Sequence, residues 1–332
     1  MHILVTGAAG FIGSALCKKL KFSGHSITAI DNFSHYYDVT LKLLRVKELL
    51  NPLDIKVLNL DICDRVAIEK LIKSINPDLV IHLSAQAGVR LKINESHKYV
   101  ESNLVGFSNI LVSTVENHIP QFLYASSSSV YGNQASIPHC ESEVNLRPNS
   151  FYGGTKLANE LLTSTLTSNS ETVARGIRFF TVYGPWGRPD MAYFRMLANA
   201  LVNSKLEIYG DGSIERDFTF IDDAINAIEL LINELGINPK GFSDVVNIGG
   251  GNPVSINKLI QVIEKISNKR LDFEKYDRNV TDVSKTMADA SKLLRLTGYI
   301  PKTEIDIGIL ETIRWASQKN ILVNLKKWIE SH

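Results

Sequence analysis

The chain predicts an α/β fold: a doubly wound parallel sheet followed by a smaller C-terminal α/β domain. Three observations carry this. Short apolar strands alternate with helical periodicity from the start of the chain to about Thr181. The chain opens on a strand, a glycine turn and a helix. After Thr181 the alternation gives way to longer loops and shorter elements.

In order, the predicted strands span 2–6, 26–31, 55–60, 78–83, 120–125 and 172–178, and the helices between them lie near 11–23, 40–50, 64–75, 95–117 and 151–169. Such alternation calls for right-handed crossovers between parallel strands. Asp222 opens a further amphipathic helix with Ile225, Ile228, Leu231, Ile232 and Leu235 on one face. A strand at Asp244–Ile248 follows, then Gly249-Gly250-Gly251 and a helix capped by Ser255. The expected division places one domain at 1–180, with return segments near 222–248, and a second mainly at 181–332. No Pro- or Ser-rich linker separates them.

The first turn reads Gly7-Ala8-Ala9-Gly10-Phe11-Ile12-Gly13. Between a strand and a helix, this suits a dinucleotide. Gly7 permits the tight turn, Gly10 lets backbone amides approach a pyrophosphate, and Gly13 lets the helix pack closely on the strand. The helix N-terminus then faces the phosphates. Spacing of the G-x-x-G-x-x-G type points to a Rossmann fold of the short-chain dehydrogenase/reductase kind. Asp31 ends the second strand, at the distance beyond Gly13 where an acid meets the adenosine ribose hydroxyls. Its charge would repel a 2′-phosphate, so NAD is expected over NADP. Asp61 closes a further strand and resembles the acid that contacts the adenine amino group.

Composition narrows the classes. Lys plus Arg number 36 and Asp plus Glu 35, a balance that argues against a broad nucleic-acid or anionic-membrane surface. No apolar run reaches the ~18 residues of a membrane span, and no signal peptide is evident at the start. Cys17, Cys63 and Cys140 are scattered, which fits a reducing cytoplasm better than a disulfide framework, and none stands at metal-ligand spacing. No metal is expected.

Tyr152 and Lys156 carry the chemistry. Four apart on a helix, they share a face. A nearby cation and an oxidised nicotinamide favour the phenolate, making Tyr152 a base for a sugar or alcohol hydroxyl near neutral pH. A Tyr-x-x-x-Lys string is weak alone; its place far downstream of Gly13, within a nucleotide fold, gives it weight.

These residues resemble the extended short-chain dehydrogenase/reductase family of nucleotide-sugar enzymes, and most closely its UDP-glucuronate 4-epimerase branch. Four stretches carry the likeness: Asp31–Asp38, His82–Arg90, Tyr124–Gly132 and, most specific to the branch, Arg178–Ala192. The resemblance implies a triad of Ser127, Tyr152 and Lys156, with Ser127 at the family's spacing before Tyr152. It implies dinucleotide contacts at Gly7, Gly10, Phe11, Ile12, Gly13, Asp31, Asn32, Asp61, Ile62, Leu83, Ala85 and Gln86, besides Tyr152 and Lys156. It assigns substrate contacts to Arg90, Ser128, Ser129, Thr181, Arg188, Ile208, Arg216, Arg278 and Asp282. Arg216 would meet the nucleotide diphosphate; its plain alternative is a surface ion pair with Asp217. Arg188 is a second anion-binding candidate. Asn103, with Tyr99 and Gly106, matches a motif that supports the site structurally.

Departures refine the reading. Thr181 replaces the Asn of galactose-type epimerases. Asn279 stands where those enzymes have an Arg, with Arg278 beside it, and Leu91-Lys92 replaces a usual Tyr-Ser after Arg90. Gly153-Gly154 should loosen the catalytic helix by roughly 1 kcal/mol per glycine. Related dehydratases place an Asp-Glu pair where this chain has Ser128 and Ser129, and decarboxylases place a Glu at Ser129. With neither acid present, oxidation at carbon 4, rotation and re-reduction remain. The expected activity is a UDP-glucuronate 4-epimerase using bound NAD, in a homodimer formed by helices 95–117 and 151–169. The alternatives are a 4-epimerase of UDP-glucose or UDP-N-acetylglucosamine and, remotely, a non-catalytic NAD-binding regulator.

Overall fold

The first strand, β1 (His2–Thr6), is apolar on both faces: Ile3 and Val5 belong to one buried cluster and Leu4 to another. A strand covered on both sides belongs inside a parallel sheet. In the computed structural model, which describes residues 1–88, 93–277 and 283–330, six more strands join it. They are β2 (Ser26–Asp31), β3 (Val57–Asn59), β4 (Leu79–His82), β5 (Gln121–Ser127), β6 (Val173–Phe179) and, after three strands outside this sheet, β10 (Ser243–Ile248). All the pairings are parallel, in the order β10-β6-β5-β4-β1-β2-β3. The order reverses at β1 and β4, the switch point where such sheets bind ligands beyond their C-terminal ends.

Along the chain the helices are α1 (Phe11–Phe22), α2 (Val39–Arg45), α3 (Arg65–Ile75), α4 (Ser96–Tyr99), α5 (Phe107–Glu116) and α6 (Phe151–Thr167). They continue with α7 (Ala192–Val202), α8 (Ile221–Leu235), α9 (Ile256–Ser267), α10 (Ser291–Thr297), α11 (Ile305–Ala316) and α12 (Lys319–Glu330). Each strand predicted before Thr181 forms, and its ends lie at or close to the expected positions. Two predicted helices are less regular than expected. The 40–50 segment turns π-helical at Val46–Leu50, and the 95–117 segment is broken by a π-helical stretch at Val100–Gly106. Hydrophobic periodicity does not distinguish these windings. No described helix is long and apolar enough to cross a membrane.

Beyond the large sheet, β7 (Thr181–Tyr183), β9 (Glu215–Phe220) and β11 (Pro253–Ser255) form a three-stranded sheet, and β8 (Glu207–Tyr209) pairs with β12 (Glu274–Tyr276). Asp217, fully buried on β9, gathers this region by accepting the backbone N–H groups of Gly250, Gly251 and Ala288.

Candidate active site

A cavity of about 880 Å³ opens at the C-terminal ends of β1, β2, β4 and β5 and runs beneath the smaller sheets. At its dinucleotide end, the glycines fit a phosphate. Gly7 has φ +72, and a Cβ there would lie 2.8 Å from the Ser84 nitrogen. A Cβ on Gly13 would lie 2.1 Å from the Gly7 carbonyl oxygen, so α1 packs against the turn as only glycine allows. Helix α1 begins without a side-chain cap or an acid in its first turn, leaving its N-terminal dipole directed at the cavity.

Asp31 projects from the end of β2. Its carboxylate accepts the N–H groups of Ala9 (3.1 Å) and Phe33 (2.8 Å) and pairs with the buried Lys42 ammonium at 3.3 Å. Lys42 also donates to Ser34 Oγ at 3.0 Å. Sequence reasoning missed Lys42, because one lysine on an amphipathic helix carries no local mark of the strand it folds back upon. Asn32 donates to Asp61 at 3.0 Å. Burial opposes ionisation of Asp61, yet its hydrogen bonds from Asn32 and Cys63 prevail and hold the carboxyl below its ordinary value.

Helix α6, which carries Tyr152 and Lys156, is capped by Ser150, whose Oγ accepts the Gly153 N–H at 3.0 Å. This sets Tyr152 in the first turn, facing the end of β5. Ser127 Oγ lies 3.1 Å from both the Oγ and the N of Ser129, at the start of the short 3₁₀ turn Ser128–Val130. Lys156 is buried; its Nζ donates to the Ala125 carbonyl at 2.9 Å and stands 5.7 Å from the centre of the Tyr152 ring. Asn103, in the π-helical stretch, accepts the Gln86 N–H and donates to the Gln86 carbonyl and to Thr155, tying the turn after β4 to α6.

The electrostatics depart from the sequence expectation. Burial pushes the Tyr152 phenol above its ordinary value, against the pull of the Arg188 cation and a hydrogen bond with Ser127. Burial also pushes Lys156 down to about 8, against the Glu160 carboxylate. Desolvation therefore outweighs the Arg188 cation and the Ser127 hydrogen bond at Tyr152.

Thr181, Ser128, Ser129, Ile208, Arg188 and Arg216 line the same cavity as Ser127, Tyr152 and Lys156. So do Gly10, Phe11, Ile12, Asn32, Asp61, Ile62, Leu83, Ala85 and Gln86. The plain alternative for Arg216, an ion pair with Asp217, does not form: Arg216 donates to the Glu215 carbonyl at 2.9 Å, while Asp217 is taken by backbone amides. Arg188 is bonded through Nε and Nη2 to Asp190, and its guanidinium stands 5.8 Å from the Tyr36 ring. Arg90, Arg278 and Asp282 lie outside the described residues.

Residues 3–249 match the sequence model of the NAD dependent epimerase/dehydratase family. The chain belongs to this family. It is 36% identical to a UDP-glucuronate 4-epimerase of Thermodesulfobacterium geofontis, across 96% of this chain and 97% of the relative. It is 38% identical to a UDP-glucuronate 4-epimerase of Arabidopsis thaliana, across 94% of this chain and 74% of that one. The fold superposes with a TM-score of 0.87 on the UDP-glucuronic acid 4-epimerase of Bacillus cereus in complex with UDP-glucuronic acid and NAD. That match has 34% identity and covers 96% of this chain and 99% of the other. The family is NAD-dependent, and the glycine cradle, Asp31 and the α1 N-terminus of this chain fit such a dinucleotide.

Proposed function

We propose that the protein interconverts UDP-glucuronate and UDP-galacturonate by inverting carbon 4 of the sugar. One observation carries the reading: the Ser127–Tyr152–Lys156 group opens into the same cavity as Ser128, Ser129, Thr181, Arg188 and Arg216, with no acid in the Ser128-Ser129 turn.

Bound NAD supplies the hydride acceptor for carbon 4 and returns that hydride in the reverse step. It would be held by the glycine turn, by Asp31 at the ribose and by Asp61 with Asn32 at the adenine. Tyr152 Oη takes the proton of the 4-hydroxyl, with Ser127 Oγ sharing that hydrogen bond and Lys156 as the buried cation behind it. The 4-keto sugar then turns about its bonds to the diphosphate while Arg216 and Ile208 keep the nucleotide in place. On re-reduction from the other face, Tyr152 returns its proton. The lobe after Thr181 supplies most of the nucleotide-sugar contacts.

A 4-keto hexuronate is a β-keto acid and can lose carbon dioxide. Ser127, Ser128, Ser129 and Thr181 would hold its carboxylate by neutral donors, in an orientation where the breaking bond does not align with the ketone. Incubating the purified protein with UDP-glucuronate should give UDP-galacturonate with little UDP-pentose. Dominant carbon dioxide release, or inversion of UDP-glucose alone, would overturn the assignment.

The functional unit is a homodimer. Val100 and Val105 in the π-helical stretch and Phe151, Leu161, Leu162 and Leu166 on α6 are exposed apolar residues on the two segments that pack together in one chain. A second copy would cover them.

A further inference from the structure

Arg45, the last residue of α2, is fully buried. Its Nε and Nη2 donate to the Trp186 carbonyl at 2.9 and 2.7 Å, and Nη2 also reaches the Gly187 carbonyl at 2.9 Å. Its Nη1 donates to Tyr37 Oη at 2.6 Å and to the Ala9 carbonyl at 3.3 Å. Among the described residues these acceptors include no carboxylate. A buried cation held only by neutral dipoles is costly to desolvate, so stability gives little reason to place an arginine there.

The segment it grips is strained. Trp186 has φ +65, a left-handed conformation that a bulky residue rarely takes, and its ring packs 5.3 Å from that of Trp315. Gly187 follows, where a Cβ would fall 1.6 Å from the Tyr193 hydroxyl. Next comes Arg188, fixed to Asp190, which also accepts from Tyr36 Oη at 3.4 Å. One guanidinium thus joins the dinucleotide turn at Ala9, the loop after β2 at Tyr37 and the loop that carries Arg188.

We propose that Arg45 is a positioning residue: by holding the Trp186 and Gly187 carbonyls, it keeps the strained loop in the form that presents Arg188 to the sugar side of the cavity beside Tyr152. This rests on the 4-epimerase reading, in which Arg188 faces the substrate. The cation's pull on the Tyr152 phenol is an effect of that placement. Releasing the loop should let the phenol titrate higher.

The test is a double-mutant cycle of Arg45→Lys and Arg188→Met in the full chain, with kcat counted per bound NAD so that loss of folded protein does not enter. Arg45→Lys should lower kcat about tenfold or more through misplacement of Arg188. Both single variants should move the acidic limb of the kcat/KM profile to higher pH. In the Arg188→Met background, Arg45→Lys should add little further loss. Fully additive losses, or an unmoved limb in Arg45→Lys, would overturn the proposal. If Arg45→Lys does not fold, Tyr37→Phe removes one of the clamp's acceptors and should show the same shift in smaller degree; an unmoved limb there counts against it equally. Turnover by the unaltered protein judges the reaction. The same cycle, read on UDP-glucuronate affinity by calorimetry, judges the clamp independently.

Discussion

Gly153 and Gly154 stand side by side in the first turns of α6, and alanine should act oppositely at the two. Around Gly154 nothing lies within 4 Å of an added Cβ, and the residue is exposed. Gly154→Ala therefore gains helix propensity of about 1 kcal/mol. In a chain of this size that raises Tm by about 1–2 °C. At Gly153 the new Cβ would sit 2.6 Å from the Ser129 carbonyl oxygen, about 0.8 Å inside the 3.4 Å where ordinary contact begins, with Pro148 Cβ at 3.0 Å on another side. The same propensity gain then opposes an overpacking cost of about 1–3 kcal/mol. Either α6 retreats, taking Tyr152 with it, or the turn carrying Ser128 and Ser129 moves. A displacement near 1 Å at the reacting groups costs on the order of 100-fold in rate. Steady-state assay of carbon 4 inversion, paired with thermal melting, checks both halves. Wild-type kcat/KM in Gly153→Ala would refute the claim that the helix seats its tyrosine by touching the serine turn.

Tyr152→Phe should abolish turnover while NAD stays bound; surviving turnover would remove the phenol from the mechanism. Asp31→Asn should weaken NAD binding by about 10–100-fold, the worth of charge-assisted hydrogen bonds. Because Lys42 and Ser34 would then face the ribose without the carboxylate, it should also narrow the preference over NADP, as titrations of the cofactor-free protein would show. Thr181→Val removes one neutral donor without changing shape and should raise the UDP-pentose fraction of the product several-fold. Lys156 titrates near 8 when folded, below its ordinary 10.5, so its buried charge disfavours folding below pH 8 and ceases to do so as pH rises towards 10.5. The stability of Lys156→Met relative to the unaltered protein should accordingly be greatest below pH 8 and shrink across that window in denaturant titrations at fixed pH.

What the sequence revealed was local. The glycine turn, the acid ending β2 and the Tyr-x-x-x-Lys pair each declare themselves through spacing within one element or its neighbour. The parallel sheet is legible because strands such as β1 and β4 are apolar on both faces. Lys42 and Arg45 could not be read, because their meaning lies in partners elsewhere. Lys42 meets Asp31 across a loop, and Arg45 meets Trp186 from a distant part of the chain. Nor does hydrophobic periodicity announce the π-helical winding at Val100–Gly106, which sets Asn103 between Gln86 and Thr155. Gly153 looked like a weakness in a helix and is instead a contact, visible only once Ser129 is packed against it.

The charge balance at Tyr152 bears on why the reaction would run both ways. A phenol kept ionised by permanent neighbouring cations would be a steady base and a poor acid, yet the second half of an epimerisation needs it to return its proton. Here burial raises the phenol, while Lys156 lies behind the ring at 5.7 Å and is itself depressed by desolvation. The Arg188 cation and the Ser127 hydrogen bond thus bring Tyr152 only part of the way to ionisation. A group poised in this manner changes protonation state with a modest change of charge beside it. Oxidised nicotinamide carries a positive charge that its reduced form lacks. On the proposed mechanism, the same pocket would favour the phenolate when the sugar alcohol is to be oxidised and the phenol when the ketone is to be reduced.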